Sequence, residues 1–215
     1  MRRFSGSRIK WVRMLVCAGV VTLGGCLSGP APTDQYYQLE LPEPERQFNS
    51  PPLRGTLQVS RPEANALTGE RPLLYRQDSG SPQVYRHAYH RWVDSPTIMI
   101  QQEMTRYLRT SQLAEQVVTS RFRVKVDYIL SCQILKLERI MAASPRVVME
   151  LELGITSMRD NQPLLLQTYR EEQSAGSDGI EASVVAYNQA LSSILNRFLM
   201  DISRVGDSRK RTTNP

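Results

Sequence analysis

Apolar side chains recur at every second position along most of this chain and switch to three- and four-residue steps in two places. Residues 146–156 alternate most cleanly: Val147, Met149, Leu151, Leu153 and Ile155 point one way while Glu150, Glu152 and Thr156 point the other. That is the signature of a strand buried on one face, and a solvated second face belongs to antiparallel sheets. Asp160-Asn161-Gln162-Pro163 turns this strand into a partner over residues 164–171. Residues 123–139 alternate for longer, with Val124, Val126, Tyr128, Leu130, Cys132 and Ile134 on the apolar side. Leu135 and Leu137 then fall on the polar side, which predicts a bulge or twist where the strand passes from one packing surface to another. Shorter strands are predicted over 36–41, 56–60, 73–76, 84–89 and 115–120, with the 73–76 and 84–89 strands forming a hairpin through Asp78-Ser79-Gly80-Ser81-Pro82. Residues 43–54, rich in proline, read as an irregular connection.

The helical period appears first in Ile100, Met104, Tyr107 and Leu108. Ser95 is placed as the N-cap and Pro96 at the first helical position, with the helix running to about Thr110. Trp92 just ahead of it is expected to pack the helix start against the sheet. Gly176-Ser177-Asp178-Gly179 breaks the strand pattern before a second helix, in which Val184, Tyr187, Leu191, Ile194, Leu195, Phe198 and Ile202 mark one face over about six turns. The pattern defines an α+β single domain: a largely antiparallel sheet of about seven strands with two main helices packed on one side.

The first 25 residues follow other rules. Arg2, Arg3, Arg8, Lys10 and Arg13 precede an apolar run from Met14 to Leu23, about half the length a membrane-spanning helix needs, so the segment reads as a cleaved signal peptide. It ends in Leu23-Gly24-Gly25-Cys26, which resembles the lipobox of bacterial lipoproteins. That resemblance implies cleavage between Gly25 and Cys26 and acylation of Cys26 by diacylglyceryl and N-acyl (palmitate) groups, and Leu27 at the next position implies sorting to the outer membrane. Two or more acyl chains hold a protein at a membrane essentially permanently. Residues 26–34, with Pro30 and Pro32, form a lipid-anchored tether; 35–205 form the domain and 206–215 a disordered tail.

Removing the signal changes the charge picture. Lys and Arg fall from 27 to 22 against 21 acids, so a net +6 becomes +1, and the basic character that would suggest nucleic acid disappears. Arg209-Lys210-Arg211 sits in the tail, without apolar periodicity. Of the three cysteines, Cys17 leaves with the signal and Cys26 is acylated; Cys132 remains without a pairing partner and reads as a small buried hydrophobe. His87 and His90 lack the spacing of a zinc site, and on a strand they would point to opposite faces, so they read as surface polar residues and no metal is assigned. No serine sits in a nucleophile elbow, no glycine loop cradles phosphate, and Glu150 and Glu152 read as a solvated face. The chain is therefore not expected to be an enzyme, and no cofactor beyond the covalent lipid on Cys26 is implied.

Several short pieces occur in a telling order behind the lipobox. They are Tyr36-Tyr37-Gln38-Leu39, Leu57-x-Val59, Leu74-Tyr75-Arg76, Trp92-Val93-Asp94-Ser95-Pro96 at the start of a helix, and Ala190-Leu191 in the closing helix. Together they resemble the ABC-type transport auxiliary lipoproteins of the PqiC and YmbA kind. The resemblance implies a lipoprotein on the periplasmic face of the outer membrane, working with a periplasmic MCE-domain protein and an inner-membrane ABC transporter or related membrane component. Such systems move phospholipid or other hydrophobic compounds between membranes, and the auxiliary protein docks the MCE tunnel as a homo-oligomeric ring. Cys26 would be the tether, while Tyr36, Tyr37, Trp92, Ser95 and Pro96 would be pattern positions with structural roles. The competing class is a lipoprotein that itself binds and carries lipid in a cavity; an anchored hydrolase lacks its residues.

Overall fold

The computed structural model describes residues 32–212, with side chains as far as Val205. Gly25, Cys26 and the signal segment lie outside the described residues. The chain folds in the order β1 (Gln35–Tyr37), β2 (Leu53–Val59), β3 (Glu63–Ala64), β4 (Pro72–Arg76), β5 (Tyr85–Trp92), α1 (Pro96–Thr110), β6 (Ala114–Thr119), β7 (Tyr128–Ile140), β8 (Arg146–Ser157), β9 (Gln162–Ser174) and α2 (Ile180–Thr212). It is an α+β fold with two helices and a sheet of nine strands, two more than the pattern suggests. No described helix is long and apolar enough to cross a membrane.

β7 is the strand on which the sheet is built. One edge pairs antiparallel with β8 over almost its full length, from Tyr128↔Ser157 to Ile140↔Arg146. The other edge is shared by three short parallel strands in succession: β2 at Tyr128–Leu130, β3 at Gln133–Ile134 and β4 at Arg139–Ile140. β6 extends the sheet beyond β2, β5 and β1 extend it beyond β4, and β9 closes the far side against β8. The sheet is mixed. Its long ladders, β7–β8 and β8–β9, are antiparallel as the alternation predicts, whereas the short parallel pairings link strands distant in sequence and leave no turn signature.

The expected bulge in β7 is present, between Ile134 and Lys136 opposite β8. Its effect differs from a change of packing surface. The extra residue, Leu135, absorbs one step of alternation, so Leu137 joins Leu130, Cys132 and Ile134 in the same core. β7 also starts later than expected: Val124 lies before it, exposed. Asp127 sets the start, because its N–H donates to the Thr56 carbonyl at 2.9 Å and its Oδ2 accepts the Thr56 N–H at 2.8 Å.

β1 ends at Tyr37, earlier than the predicted strand, because its partner β5 ends at Trp92. Leu39 and Leu41 still enter the core. Helix side chains take the place of a neighbouring strand there: the Glu40 N–H donates to Asn188 Oδ1 (3.0 Å) and the Leu41 N–H to Glu103 Oε2 (2.8 Å).

Both helices pack over one face of the sheet. Ile100, Met104, Tyr107 and Leu108 of α1 and Tyr187, Leu191, Ile194, Leu195, Phe198 and Ile202 of α2 belong to one cluster with the inward residues of β2, β7 and β8. Each such side chain contributes about 1.5–3 kcal/mol through removal from water. The helices are joined where the Tyr107 hydroxyl donates to Asn196 Oδ1 at 2.7 Å, and Tyr169 of β9 meets Phe198 edge to face and donates to Asp201. α2 runs to Thr212, past Val205, and so takes in part of the tail expected to be disordered. On the opposite sheet face, Lys136, Glu150, Arg170, Glu172 and Arg146 form a continuous line of ion pairs across β7, β8 and β9.

Gly55 has φ +105°, and a Cβ there would lie 2.2 Å from Asp127 Oδ2. Gly55→Ala is therefore expected to lower unfolding free energy by about 2 kcal/mol or more, read by urea denaturation. An unchanged midpoint would show that the Asp127 clamp does not set the register of β2.

Candidate functional site

Several of the pattern residues that the sequence singles out converge around β1. β1 lies parallel to β5 with Tyr36 opposite Arg91 and Tyr37 opposite Trp92. Trp92 is buried; its N–H donates to the Arg71 carbonyl at 2.7 Å, and its ring meets Tyr187 of α2 at 5.5 Å and 67°. The Val93 N–H donates to the Tyr37 carbonyl at 2.8 Å. Trp92 thus ties β1, β4 and α2 together just before α1, as its place in the sequence suggests.

Neighbouring strand residues face opposite ways, and Tyr36 and Tyr37 divide accordingly. The Tyr37 hydroxyl lies 2.8 Å from Gln35 Oε1, 2.9 Å from His90 Nδ1 and 3.4 Å from Glu181 Oε1. Burial, followed by the Glu181 carboxylate, raises its pKa and keeps it protonated. Tyr36 is exposed, with the Arg71 guanidinium 5.3 Å from its ring centre. Trp92 is in the core and Tyr37 packs against it, whereas Tyr36 lies at the surface.

Pro96 occupies the first turn of α1, where its missing N–H costs nothing. Ser95 is the cap by backbone alone: its carbonyl accepts the N–H of Ile98 (2.9 Å) and Met99 (3.2 Å). Its hydroxyl makes no capping bond, and instead sits 3.0 Å from Thr97 Oγ1 and accepts from Arg61 at 3.3 Å.

The histidines depart from expectation. Between β4 and β5 the register runs from Pro72↔Arg91 to Leu74↔Arg86, so two steps of β4 span five of β5. This bulge cancels the alternation and brings His87 and His90 together, ring centres 5.4 Å apart and edge to face. His87 also packs on Tyr75 at 4.6 Å, which stacks on Tyr85 at 5.2 Å. Burial, then the electrostatic influence of His90 and Arg139, push the His87 pKa down to about 4, so it is neutral at physiological pH. Among the described residues no group of three or more His, Cys, Asp or Glu side chains could hold a metal ion.

Cys132 is buried on the core face of β7, where burial pushes its thiol up to about 12. Glu150 is held by Lys136 at 3.5 Å and Arg170 at 3.2 Å. Neither is arranged as a nucleophile beside a base. The feature that the sequence reading missed is the grouping of Arg71, Arg86 and Arg91 beside β1. Each arginine is visible as a charge, but the β5 bulge that gathers them has no local signature.

Residues 37–197 match the family described as the ABC-type transport auxiliary lipoprotein component. The chain belongs to that family. Its fold is similar to the crystal structure of protein XCC0632 from Xanthomonas campestris, of family DUF330, with a TM-score of 0.71 at 17% identity over 82% of this chain and 99% of that one. A second crystal structure, of an uncharacterised protein, matches with a TM-score of 0.59 at 18% identity over 80% of this chain and 98% of that one. No curated protein matches the sequence.

Two expectations follow. An unfolded histidine takes up its proton near pH 6.5, whereas folded His87 does so only near pH 4, so the unfolded chain binds more protons in that interval. The stability that His87 contributes is thus fully present above pH 6.5 and is lost as pH falls towards 4; His87→Gln should flatten this part of a plot of urea midpoint against pH. A parallel curve for the variant would remove His87 as the cause. Cys132 in the native protein should resist iodoacetamide at about pH 8 and react once urea unfolds the chain, as followed by peptide mass spectrometry. Rapid native labelling would contradict its burial.

Proposed function

We propose that this chain is an outer-membrane lipoprotein, held by acylated Cys26 on the periplasmic face, that serves as the non-catalytic auxiliary component of an intermembrane lipid (or hydrophobic-compound) transport system. In this role it docks the tunnel of a periplasmic MCE-domain protein, partnered with an inner-membrane ABC transporter or related component, as a homo-oligomeric ring. The observation that carries the reading is the family match over nearly the whole domain, placed directly behind a lipobox and a short tether.

The physical character of the domain supports an adaptor. Tyr107, Tyr187, Phe198, Ile100 and Met104 are each less than 2% exposed, so the space between helices and sheet is filled with side chains. An acyl-chain carrier needs that space empty. A rigid, nearly neutral body on a tether of a few residues is suited to presenting a surface at a fixed distance from a membrane.

An affinity pull-down from gently solubilised membranes tests this, with the native protein beside Cys26→Ala and mass spectrometry of bound proteins and of the mature N-terminus. The expected outcome is an acylated Cys26 and co-purifying MCE and transporter proteins for the native chain, with loss of both acylation and membrane recovery for the variant. An acylated chain that captures no such partners would overturn the transport role.

A further inference from the structure

The bulge in β5 opens a cleft of about 670 Å3 against β4, lined by Gly69, Glu70, Arg71, Pro72, Arg86, His87, Ala88 and Arg91. Three guanidinium groups face this space and two acids attend them. Glu70 Oε2 lies 2.8 Å from Arg86 Nη1, both about half exposed. Asp34 Oδ2 lies 3.1 Å from Arg91 Nε, yet that N–H is too poorly aligned to form a hydrogen bond and stays without an acceptor. Arg71 is not ion-paired with any described carboxylate; it spends one N–H on the Trp92 carbonyl at 3.0 Å and rests over the Tyr36 ring. Three cations against two anions leave an excess positive charge and several unspent guanidinium donors. By contrast, Arg146 of β8, Arg170 of β9 and Arg197 of α2 are each paired with a glutamate of β8 or β9.

The cleft lies where the tether joins the domain. Asp34 and Tyr36 stand at its rim, and seven residues lie between Cys26 and Asp34, so the eight steps reach at most about 29 Å when fully extended. Tyr36, under the Arg71 guanidinium, is 55% exposed, and Tyr89, on the same strand as Arg86 and Arg91, is 44% exposed. Exposed tyrosine next to cationic side chains suits the headgroup zone of a bilayer, where the ring takes the apolar side and the hydroxyl stays wet. Guanidinium groups bind phosphate through paired N–H bonds, which a lysine cannot reproduce.

We propose that the Arg71–Arg86–Arg91 cleft binds the phosphate of an anionic glycerophospholipid in the leaflet that holds the Cys26 acyl chains, giving the domain a second membrane contact beside its covalent anchor. The inference rests on the lipoprotein reading of Cys26. A single tether leaves the domain free to rotate; a headgroup bound beside the tether sets which end faces away from the membrane. Tethering raises the effective headgroup concentration to about the millimolar range, so a weak site is sufficient.

The test uses the mature acylated protein in a neutral maltoside detergent, titrated calorimetrically with dihexanoyl-phosphatidylglycerol, dihexanoyl-phosphatidylcholine and inorganic phosphate. Saturable binding of the phosphatidylglycerol is expected, weakened about tenfold in Arg71→Gln and retained in Arg170→Gln, which removes a guanidinium on the far side of the sheet. Arg71→Lys should restore only part of the affinity. Should Arg71→Gln fail to fold, Arg86→Gln at the exposed rim carries the same expectation. No saturable binding, or affinity unchanged in the arginine variants, overturns the proposal, as does equal binding of inorganic phosphate, which would identify a free-anion site. The same variants are carried through the partner pull-down: lipid binding without partners would leave this site standing and remove the transport role, and partners without lipid binding would do the reverse.

Discussion

The double pairing of β7 is the constraint on which the rest of the domain depends. A thirteen-residue strand satisfies its N–H and C=O groups on one side with β8 and on the other with three unrelated short strands. Strands of two to seven residues such as β2, β3 and β4 could not hold a register alone. Laid along the same edge of a long strand, they inherit its twist and its facing. The bulge at Leu135 completes this arrangement, because without it Leu137 and everything paired beyond it would turn away from the helices.

Both helices lie on the face that β7 and β8 keep apolar, and the opposite face carries ion pairs instead of a second layer. Each exposed pair contributes little, in the range of about 0–1 kcal/mol, so the line from Lys136 to Arg146 speaks more to solubility and facing than to stability. The weight of the fold rests on the helix–sheet core. With that core filled, chemistry and recognition are confined to the periphery, and the residues of interest gather at the β1–β4–β5 corner. There β1 pairs with β5, Trp92 locks three elements together and a bulged strand opens a cleft.

This placement gives the family assignment a physical meaning. In the proposed role the domain contributes position: a surface at a defined height and orientation. Membership of the family and similarity of fold to XCC0632 account for the body of the domain. They do not by themselves describe a site, since folds are shared more widely than functions. The arginine cleft beside β1 is a property of this chain's own side chains, and in the proposed role it bears on how the body is held.

The sequence by itself determined the elements whose information is local. Alternation marked β8 and the inward face of β7, the three- and four-residue period marked α1 and α2, and Pro96 marked the start of α1 to the residue. The lipobox and the ordered short motifs pointed to the family that residues 37–197 then matched. Tertiary structure alone decided what depends on a distant partner. β3 exists because Gln133 and Ile134 offer an edge, β1 is short because β5 ends, and Ser95 turns its hydroxyl to Arg61 because that guanidinium is within reach. The histidines meet, and Arg71, Arg86 and Arg91 share a cleft, because β5 bulges against β4. A bulge is a difference in length between two paired segments, and neither segment read alone contains it.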